Sequence, residues 1–171
     1  MPTGEQAGGL IAAYADGPRL LEAALVGLSD EELRFTPGPE HWSIHENVIH
    51  VVDVDLVGAA RIRYLLAEPG ATPASFYGYR WSRILDYQAH SMPDALAFFR
   101  AVRKWTGALL ERLPSDAWAR TGVHWEQDGS GGAPTTLTLA QAVEHFTGHV
   151  EYHLRTIAKR RAQYAERGTQ S

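Results

Sequence analysis

The stretch that decides the fold is residues 139–157, LAQAVEHFTGHVEYHLRTI, near the end of the sequence. Its apolar side chains recur at the three- and four-residue steps of an amphipathic helix. These side chains are Leu139, Val143, Phe146, Val150 and Ile157. In the same stretch His145, His149 and His153 are spaced four residues apart, so they lie on one side of that helix. The segment predicts a long helix with an imidazole cluster beside its buried face.

Three further helices are predicted upstream from apolar periodicity and from start and stop signals. The four predicted helices run from about Gln6 to Leu28, from Ser43 to about Glu68, from Pro93 to Leu113, and from Thr136 or Thr138 toward Tyr164. Residues 29–39 are a short connector. Residues 69–92, with a short helix around 82–90, and residues 115–135 are long connections. Little favours a strand, so we predict an all-α fold, a four-helix bundle with long connections between helices 2 and 3 and helices 3 and 4.

Length and composition narrow the class of protein. The chain has 171 residues, of which 44% are hydrophobic and 21% charged, which predicts a single domain over residues 1–171 with its own core. A net charge of −4 argues against nucleic acid or anionic lipid as a partner. No apolar run reaches the roughly 18 residues of a membrane span, and no basic residue precedes the first apolar stretch as in a signal peptide. We therefore expect a cytoplasmic protein that acts on a small molecule.

Cysteine is absent from the sequence. This excludes disulfides, thiolate zinc sites, iron–sulfur clusters and a cysteine nucleophile. Any metal would have to be held by nitrogen and oxygen ligands. Eight histidines are present, and the candidate ligands are sought among them.

Helical geometry separates the three histidines of the last helix. At about 100° per residue, His149 lies about 40° and His153 about 80° from His145, while the apolar stripe centres near roughly 120°. His153 should therefore point almost into the bundle, His149 should sit on its shoulder, and His145 should lean toward solvent or a subunit contact. Two imidazoles at i and i+4 can reach one ion. The zinc-protease helix motif is not matched, because Val150 stands where that motif needs a glutamate.

His50, in the middle of the second helix, is the best candidate for a third ligand. Its neighbours are apolar, and an unpaired imidazole is costly to bury among them. A bundle could bring it opposite His149 and His153. Three neutral imidazoles with an open position describe a catalytic rather than a structural metal site. Spacing alone leaves the alternative open that each ring is satisfied by a carbonyl or a carboxylate.

The remaining histidines are interpreted as ordinary loop or surface residues. His41 and His90 belong to this group, together with His45, which we place in the exposed first turn of the second helix. His124 is a candidate proton shuttle, with a structural loop residue as the alternative.

Several other residues are candidates near the site. Asp53 lies about one turn after His50 and could orient its imidazole, with ordinary surface charge as the alternative. Glu46 follows Ser43 at the capping-box spacing, so we expect it to serve the helix start. Tyr87 and Trp125 are expected to pack in the core, although both could line a pocket.

Three segments in order along the chain carry a family resemblance. Residues 38–50, GPEHWSIHENVIH, match a Trp-Ser-hydrophobic-x-Glu opening with a histidine four residues after the glutamate, and residues 123–124 with the following glycines match a loop before a last helix. Residues 144–157 match a closing His-x-x-x-His-hydrophobic-x-Gln-Ile signature, except that Thr156 replaces the glutamine. From the helix that holds Tyr14 to Ile157, the chain resembles the DinB/YfiT-like superfamily of small metal-binding four-helix bundles.

This resemblance implies a divalent metal, zinc or nickel, held by His50, His149 and His153. It also implies a homodimer and a metal-dependent thiol S-transferase, which joins a low-molecular-weight thiol such as bacillithiol or mycothiol to an electrophilic substrate. Because the chain has no cysteine, the thiol would arrive as a cosubstrate. Two alternatives stay open: a metal-dependent hydrolase with a metal-bound hydroxide, and a non-catalytic metal-binding stress-response bundle.

Overall fold

Four long helices make up most of the part of the chain that the structure describes. The structure is a computed structural model and describes residues 2–68, 70–73, 76–124 and 135–169. In chain order the elements are α1 (Gly4–Leu25), α2 (Asp30–Arg34), α3 (Ile44–Ala67), α4 (Gly78–Ile84), a 3₁₀ turn (Tyr87–Ala89), α5 (Met92–Leu110), a second 3₁₀ turn (Ser115–Ala119), β1 (Thr121–His124), β2 (Thr135–Thr138) and α6 (Leu139–Thr169). The predicted all-α four-helix bundle is confirmed, with α1, α3, α5 and α6 as its helices. Among the described residues no helix is both long and apolar enough to cross a membrane.

Helix α3, which carries His50, begins where its capping box dictates. The Glu46 N–H donates to Ser43 Oγ at 3.1 Å, and the Ser43 N–H donates to Glu46 Oε2 at 2.8 Å. This reciprocal pair satisfies two backbone donors that the first turn leaves without partners. The predicted capping role of Glu46 is confirmed, and it places His50 about two turns inside the helix.

The connections contain more regular structure than the sequence predicted. Helix α2 interrupts the expected connector at 29–39, because Ser29 and Glu32 form another capping box. Strand β1 lies in the expected loop at 115–135, whereas β2 occupies residues where the fourth helix was predicted to begin, so α6 begins at Leu139 instead. The two strands form an antiparallel pair with Thr121 opposite Thr138. Strands of four residues are too short for alternation between polar and apolar residues to reveal them.

The apolar core forms two clusters, and each takes residues from α1, α3, α5 and α6. The first includes Tyr14, Ile62, Leu110 and Phe146, and the second includes Leu21, Val48, Phe99, Val150 and Ile157. Helices α3 and α6 approach closely at Gly58, where an added Cβ would lie 2.7 Å from Cε1 of Phe146. The contact leaves no room for a side chain at position 58. It brings together the faces of α3 and α6 that carry the candidate histidines.

Candidate metal centre

Three histidines from two helices meet between α3 and α6. One ring nitrogen of each of His50, His149 and His153 lies within 4.8 Å of the other two. The Nε2 atoms of His149 and His153 are 3.2 Å apart. Two nitrogens bound to one tetrahedral zinc ion would be about 3.3 Å apart, given the usual zinc–nitrogen bond length. The structure therefore brings together the three predicted residues, which we call the histidine trio, in an arrangement that could hold a metal ion.

Asn47 fixes the tautomer of His153. The Asn47 Nδ2 group donates to the carbonyls of Ser43 at 2.7 Å and Trp42 at 3.4 Å, which turns its Oδ1 toward His153. That oxygen lies 2.8 Å from Nδ1 of His153 and can only accept a hydrogen bond. The proton of His153 is therefore on Nδ1, and Nε2 keeps its lone pair. A histidine that binds a metal through Nε2 needs this tautomer, held by such a partner.

His50 is positioned by packing rather than by hydrogen bonds. Its ring centroid is 4.5 Å from that of Trp42 and 5.9 Å from that of Phe76. Gly78 also packs against the ring, because a Cβ there would lie 2.6 Å from Cε1 of His50. Its Nδ1 is buried and has no hydrogen-bond partner among the described residues. Burial of an unpaired imidazole costs free energy, which metal coordination by the ring would offset.

Burial keeps the histidine trio neutral. It lowers the pKa of His149 to about 2 and the pKa of His153 to about 4. Burial also holds the pKa of His50 well below its usual value, and the nearby His153 lowers it further. A neutral imidazole is the form that binds metals. The three rings are therefore ready to coordinate a cation at neutral pH.

The trio opens onto a cavity of about 650 Å³. This volume lies in the range of small-molecule sites. No fourth histidine or carboxylate among the described residues joins the trio as a potential ligand. The arrangement of three nitrogen donors beside open space is that of a catalytic rather than a closed structural site. The other lining residues that matter below are Trp42, Tyr79, Tyr152, Lys159 and Arg160.

Comparison with known proteins agrees with this architecture. The sequence profile of the DinB superfamily matches residues 13–157. The chain belongs to the DinB superfamily. The resemblance drawn from the sequence is therefore confirmed, and the histidine trio is a feature of a DinB-superfamily bundle.

Two relatives and one solved structure show how far the likeness extends. A Halalkalibacterium halodurans protein named "Putative metal-dependent hydrolase" is 24% identical over 137 residues, which cover 80% of this chain and 75% of that protein. A Geobacillus kaustophilus protein of the same name is 25% identical over 151 residues, covering 88% and 82%. The structure of YfiT from Bacillus subtilis, described as "a probable metal-dependent hydrolase with an unusual four-helix bundle topology", superposes with a TM-score of 0.83 at 19% identity, covering 96% of this chain and 91% of YfiT. That last likeness establishes the fold.

His145 was predicted to lean toward solvent or a subunit contact, and the structure places it at the cavity. It is half-buried and lines the same cavity as the trio, with its ring edge-on to Phe146 at a centroid distance of 5.2 Å. The helical wheel described α6 alone. It could not show that the cavity extends along the helix as far as His145.

The prediction that His45 is exposed is wrong. The side chain is 2% exposed, and its Nε2 lies 3.0 Å from the carbonyl oxygen of His90. The segment that contains the 3₁₀ turn at Tyr87–Ala89 folds back over the first turn of α3 and covers His45. His90 itself is exposed, as predicted.

Asp53 does not orient His50, so that prediction is also wrong. Its Oδ2 accepts a hydrogen bond of 2.6 Å from the hydroxyl of Tyr87, which is fully buried in the core as expected. Burial raises the pKa of Asp53, and the Tyr87 hydrogen bond opposes that shift. Because Asp53 is not among the residues that line the cavity, it acts at the α3 surface that faces Tyr87.

Three other candidates have simple outcomes. His41 is exposed, as predicted, at the rim of the cavity. The backbone of His124 lies in β1 opposite Thr135, its side chain is outside the described part of the structure, and its shuttle role stays a prediction. Trp125 lies outside the described residues.

The sequence analysis missed four residues that shape this DinB site. These are Trp42, Asn47, Gly78 and Arg160. One signal was available: Asn47 lies three residues before His50, so the two side chains are on the same side of the predicted helix. Gly78 gave no signal, because its role depends on a close approach to His50 that only the fold creates.

Proposed function

We propose that this DinB-superfamily protein binds a divalent metal through His50, His149 and His153 and is an enzyme that acts on a small electrophilic substrate. The convergence of three neutral imidazoles, two of them buried and that of His149 half-buried, on one cavity carries this proposal. Zinc and nickel both suit imidazole ligands. When bound, the divalent cation would supply Lewis-acid charge, which lowers the pKa of a coordinated thiol or water molecule.

The protein's own side chains would orient the ligands and limit access of water. Asn47 keeps the Nε2 lone pair of His153 directed toward the trio. Trp42 covers His50, and its indole ring packs against Tyr79 at a centroid distance of 4.9 Å. These aromatic rings lower the local dielectric constant, which strengthens electrostatic interactions with a substrate. Lys159 adds positive charge to the same cavity.

The nucleophile that we propose is the thiol of a low-molecular-weight cosubstrate. A sulfur–carbon bond would form while the bond between that carbon and its leaving group breaks, and the thiol proton would pass to solvent through the open cavity. The size of the cavity supports this reading, because it is large enough for two small reactants. Because the chain has no cysteine, the sulfur would arrive with a cosubstrate.

Hydrolysis at the same trio is the second candidate, and the names of the Halalkalibacterium halodurans and Geobacillus kaustophilus relatives favour it. In that case water would replace the thiol, and the product would form without any cosubstrate.

Metal content tests the ligand assignment. We expect untagged protein reconstituted with zinc or nickel to hold one ion per chain and His149→Ala to lose it, because two imidazoles leave the ion under-coordinated. The matched control is His90→Ala, which removes an exposed histidine outside the cavity and should keep the metal. Elemental analysis measures the content, and circular dichroism checks that each variant is folded. Metal retention in folded His149→Ala, or no binding by wild type, would refute the assignment.

Turnover separates the candidate reactions. Metal-loaded protein is mixed with monochlorobimane, with and without bacillithiol, mycothiol or cysteine, and in parallel with 4-nitrophenyl acetate alone. Product that requires a thiol and is lost in His149→Ala supports the transferase. Release of 4-nitrophenol without thiol supports the hydrolase. Metal binding without either activity would contradict both enzymatic readings and favour the non-catalytic bundle.

A further inference from the structure

Arg160 is a buried cation with only neutral partners. It lies on α6 and is 6% exposed. Its Nε donates to the carbonyl of Trp42 at 2.9 Å, and its Nη1 donates to Oε1 of Gln163 at 2.8 Å. No carboxylate of the described residues forms an ion pair with it. This is unusual, because a buried charge is normally paired with an opposite charge.

A second buried arginine shows the usual solution. Arg103 is 1% exposed, and its Nε lies 2.7 Å from Oδ1 of Asp55. The chain therefore supplies a counter-charge for the guanidinium of Arg103, which lies in the core, whereas the described residues supply none for that of Arg160, which borders the cavity. The difference between them is location, since Arg160 lines the cavity of the trio and Arg103 does not.

The free side of Arg160 is available to a ligand in that cavity. Its Nη2 makes no hydrogen bond to a described residue, while its other two nitrogens are held in place. Lys159 lines the same cavity and adds a second positive charge. The one carboxylate among the lining residues belongs to Glu40, which is exposed and forms no ion pair with Arg160.

The position of Arg160 relative to the trio sets the size of the ligand. His153 and Arg160 are seven residues apart on α6, so they lie on the same face of the helix and about 10 Å apart along its axis. A single small molecule in the cavity could reach both. Its anionic group would have to be several bonds away from the atom that reacts at the histidines.

We propose that Arg160, assisted by Lys159, is a carboxylate-recognition site, and that the thiol cosubstrate carries a carboxylate several bonds from its sulfur. This rests on the proposed function and names the class of cosubstrate. The planar guanidinium of arginine suits a carboxylate, and the ligand would supply the counter-charge that the chain lacks. Arg160 binds and positions the cosubstrate without touching the reacting atoms.

A series of thiols that differ in charge and length tests the proposal. The probes are 6-mercaptohexanoate, the neutral 6-mercaptohexanol of equal length, and the shorter 3-mercaptopropionate. With metal-loaded protein we expect a KM for 6-mercaptohexanoate about tenfold to hundredfold lower than for 6-mercaptohexanol, as for a charge-assisted hydrogen bond in a partly enclosed site. We expect the KM for 3-mercaptopropionate to lack most of this advantage over 6-mercaptohexanol, since the shorter thiol cannot span from the trio to Arg160.

Variants assign the preference to a residue. Arg160→Gln should bring the KM values of the two long thiols together while kcat changes little, and Lys159→Gln should reduce the preference by a smaller factor. Lys159 is exposed, so this second variant tests the site even if Arg160→Gln does not fold. The matched control is Arg155→Gln, which removes an exposed positive charge from α6 outside the cavity and should keep the full preference.

Direct binding separates failure of this site from failure of the metal centre. Calorimetric titration of metal-free protein with hexanoate should show binding that Arg160→Gln abolishes and Arg155→Gln does not. Wild-type protein that holds its metal but does not distinguish 6-mercaptohexanoate from 6-mercaptohexanol would overturn the carboxylate site and leave the metal centre standing. Hexanoate binding at Arg160 in a protein that takes up no metal would support the site and refute the proposed function. If Arg155→Gln lost as much hexanoate binding as Arg160→Gln, the effect would be one of general charge, and the assignment to Arg160 would be overturned.

Discussion

The bundle contains two polar clusters, and they differ in whether the chain supplies a counter-charge for the buried arginine. In the first, Arg103 is paired with Asp55 and donates to the carbonyls of Tyr14 at 2.8 Å and Phe146 at 2.9 Å. These contacts connect α1, α3, α5 and α6. Burial raises the pKa of Asp55 to about 6, and the adjacent Arg103 guanidinium opposes this shift by stabilising the ionised carboxylate. The chain supplies both charges of this cluster.

The second cluster, the histidine trio with Arg160, is left incomplete by the chain. The Nδ1 of His50 has no hydrogen-bond partner, and Arg160 has no ion-pair partner, among the described residues. Both groups lie beside a cavity, where a ligand could complete them. The comparison teaches that a self-contained polar cluster holds the helices together, whereas an incomplete one beside open space is a binding site. The two clusters should therefore fail in different ways when they are mutated.

The largest effect on stability is expected for Arg103→Met. This variant leaves Asp55 buried without its partner, which typically costs about 3–5 kcal/mol of unfolding free energy. Urea unfolding followed by circular dichroism measures the loss. In conditions where the variant is folded, its metal content should equal that of wild type, since Arg103 does not line the cavity.

Two further variants control this prediction. Arg100→Met, one turn earlier on α5, breaks an exposed pair in which Arg100 Nη1 lies 2.7 Å from Glu22 Oε1, and such pairs contribute about 0–1 kcal/mol. The double variant Arg103→Met/Asp55→Leu should recover much of the stability because it buries no uncompensated charge. If Arg100→Met and Arg103→Met lose equal stability, the first cluster does not have the structural role that we assign to it.

The pH dependence of stability should reflect the histidine trio. Each histidine titrates near 6.5 in the unfolded chain, whereas the folded pKa is about 2 for His149 and about 4 for His153. Below pH 6.5 the unfolded state therefore binds more protons, and the unfolding free energy falls by up to about 1.4 kcal/mol per pH unit for each such histidine. Asp53 and Asp55 contribute with the opposite sign, because burial raises their folded pKa, while the lowered pKa of buried His45 adds to the effect of the trio. Two carboxyls do not cancel four imidazoles.

Unfolding of metal-free protein in a chelator at pH 7.5, 6.5, 5.5 and 4.5 measures this dependence. We expect stability to be nearly constant above pH 6.5 and to decrease toward pH 4. His153→Ala should reduce the slope of unfolding free energy against pH, because one fewer histidine takes up a proton on unfolding. Replacement of the exposed His90 by alanine should leave the slope unchanged. A wild-type slope equal to that of His153→Ala would show that His153 is not held neutral in the folded protein.

The sequence predicted the parts of the molecule that depend on local patterns. Apolar periodicity located the four long helices, and the Ser43–Glu46 spacing located the start of α3. The i, i+4 spacing of His149 and His153 placed two imidazoles together on one helix before any fold was known. These features depend on residues within a few turns of one another, so one segment contains all the information they need.

The sequence could not predict contacts that depend on how distant segments meet. The apolar neighbours of His50 made it the best candidate for a third ligand, and the resemblance to the DinB superfamily implied the same residue, but spacing along the chain could not show that it meets the pair on α6. His45 is buried because residues near His90 fold over it, 45 positions away in the chain. Asp53 meets Tyr87 rather than His50 for the same reason. Such pairings depend on the relative placement of helices and connections, which apolar periodicity does not encode.

The smallest effect on metal binding is expected when a residue that supports one of the metal-binding histidines is removed, rather than the histidine itself. Asn47→Ala should lower metal affinity about tenfold to hundredfold, because loss of such a partner leaves the tautomer and orientation of the histidine unfixed. Competition with a fluorescent chelator measures the affinity. The matched control is Gln88→Ala, whose amide donates to Ser43 Oγ at 2.9 Å and makes no contact with His153. Equal losses of metal affinity in the two variants would mean that both amides act by stabilising the start of α3. A loss of affinity confined to Asn47→Ala would show that the 2.8 Å contact with Nδ1 of His153 holds that ring in position for the metal.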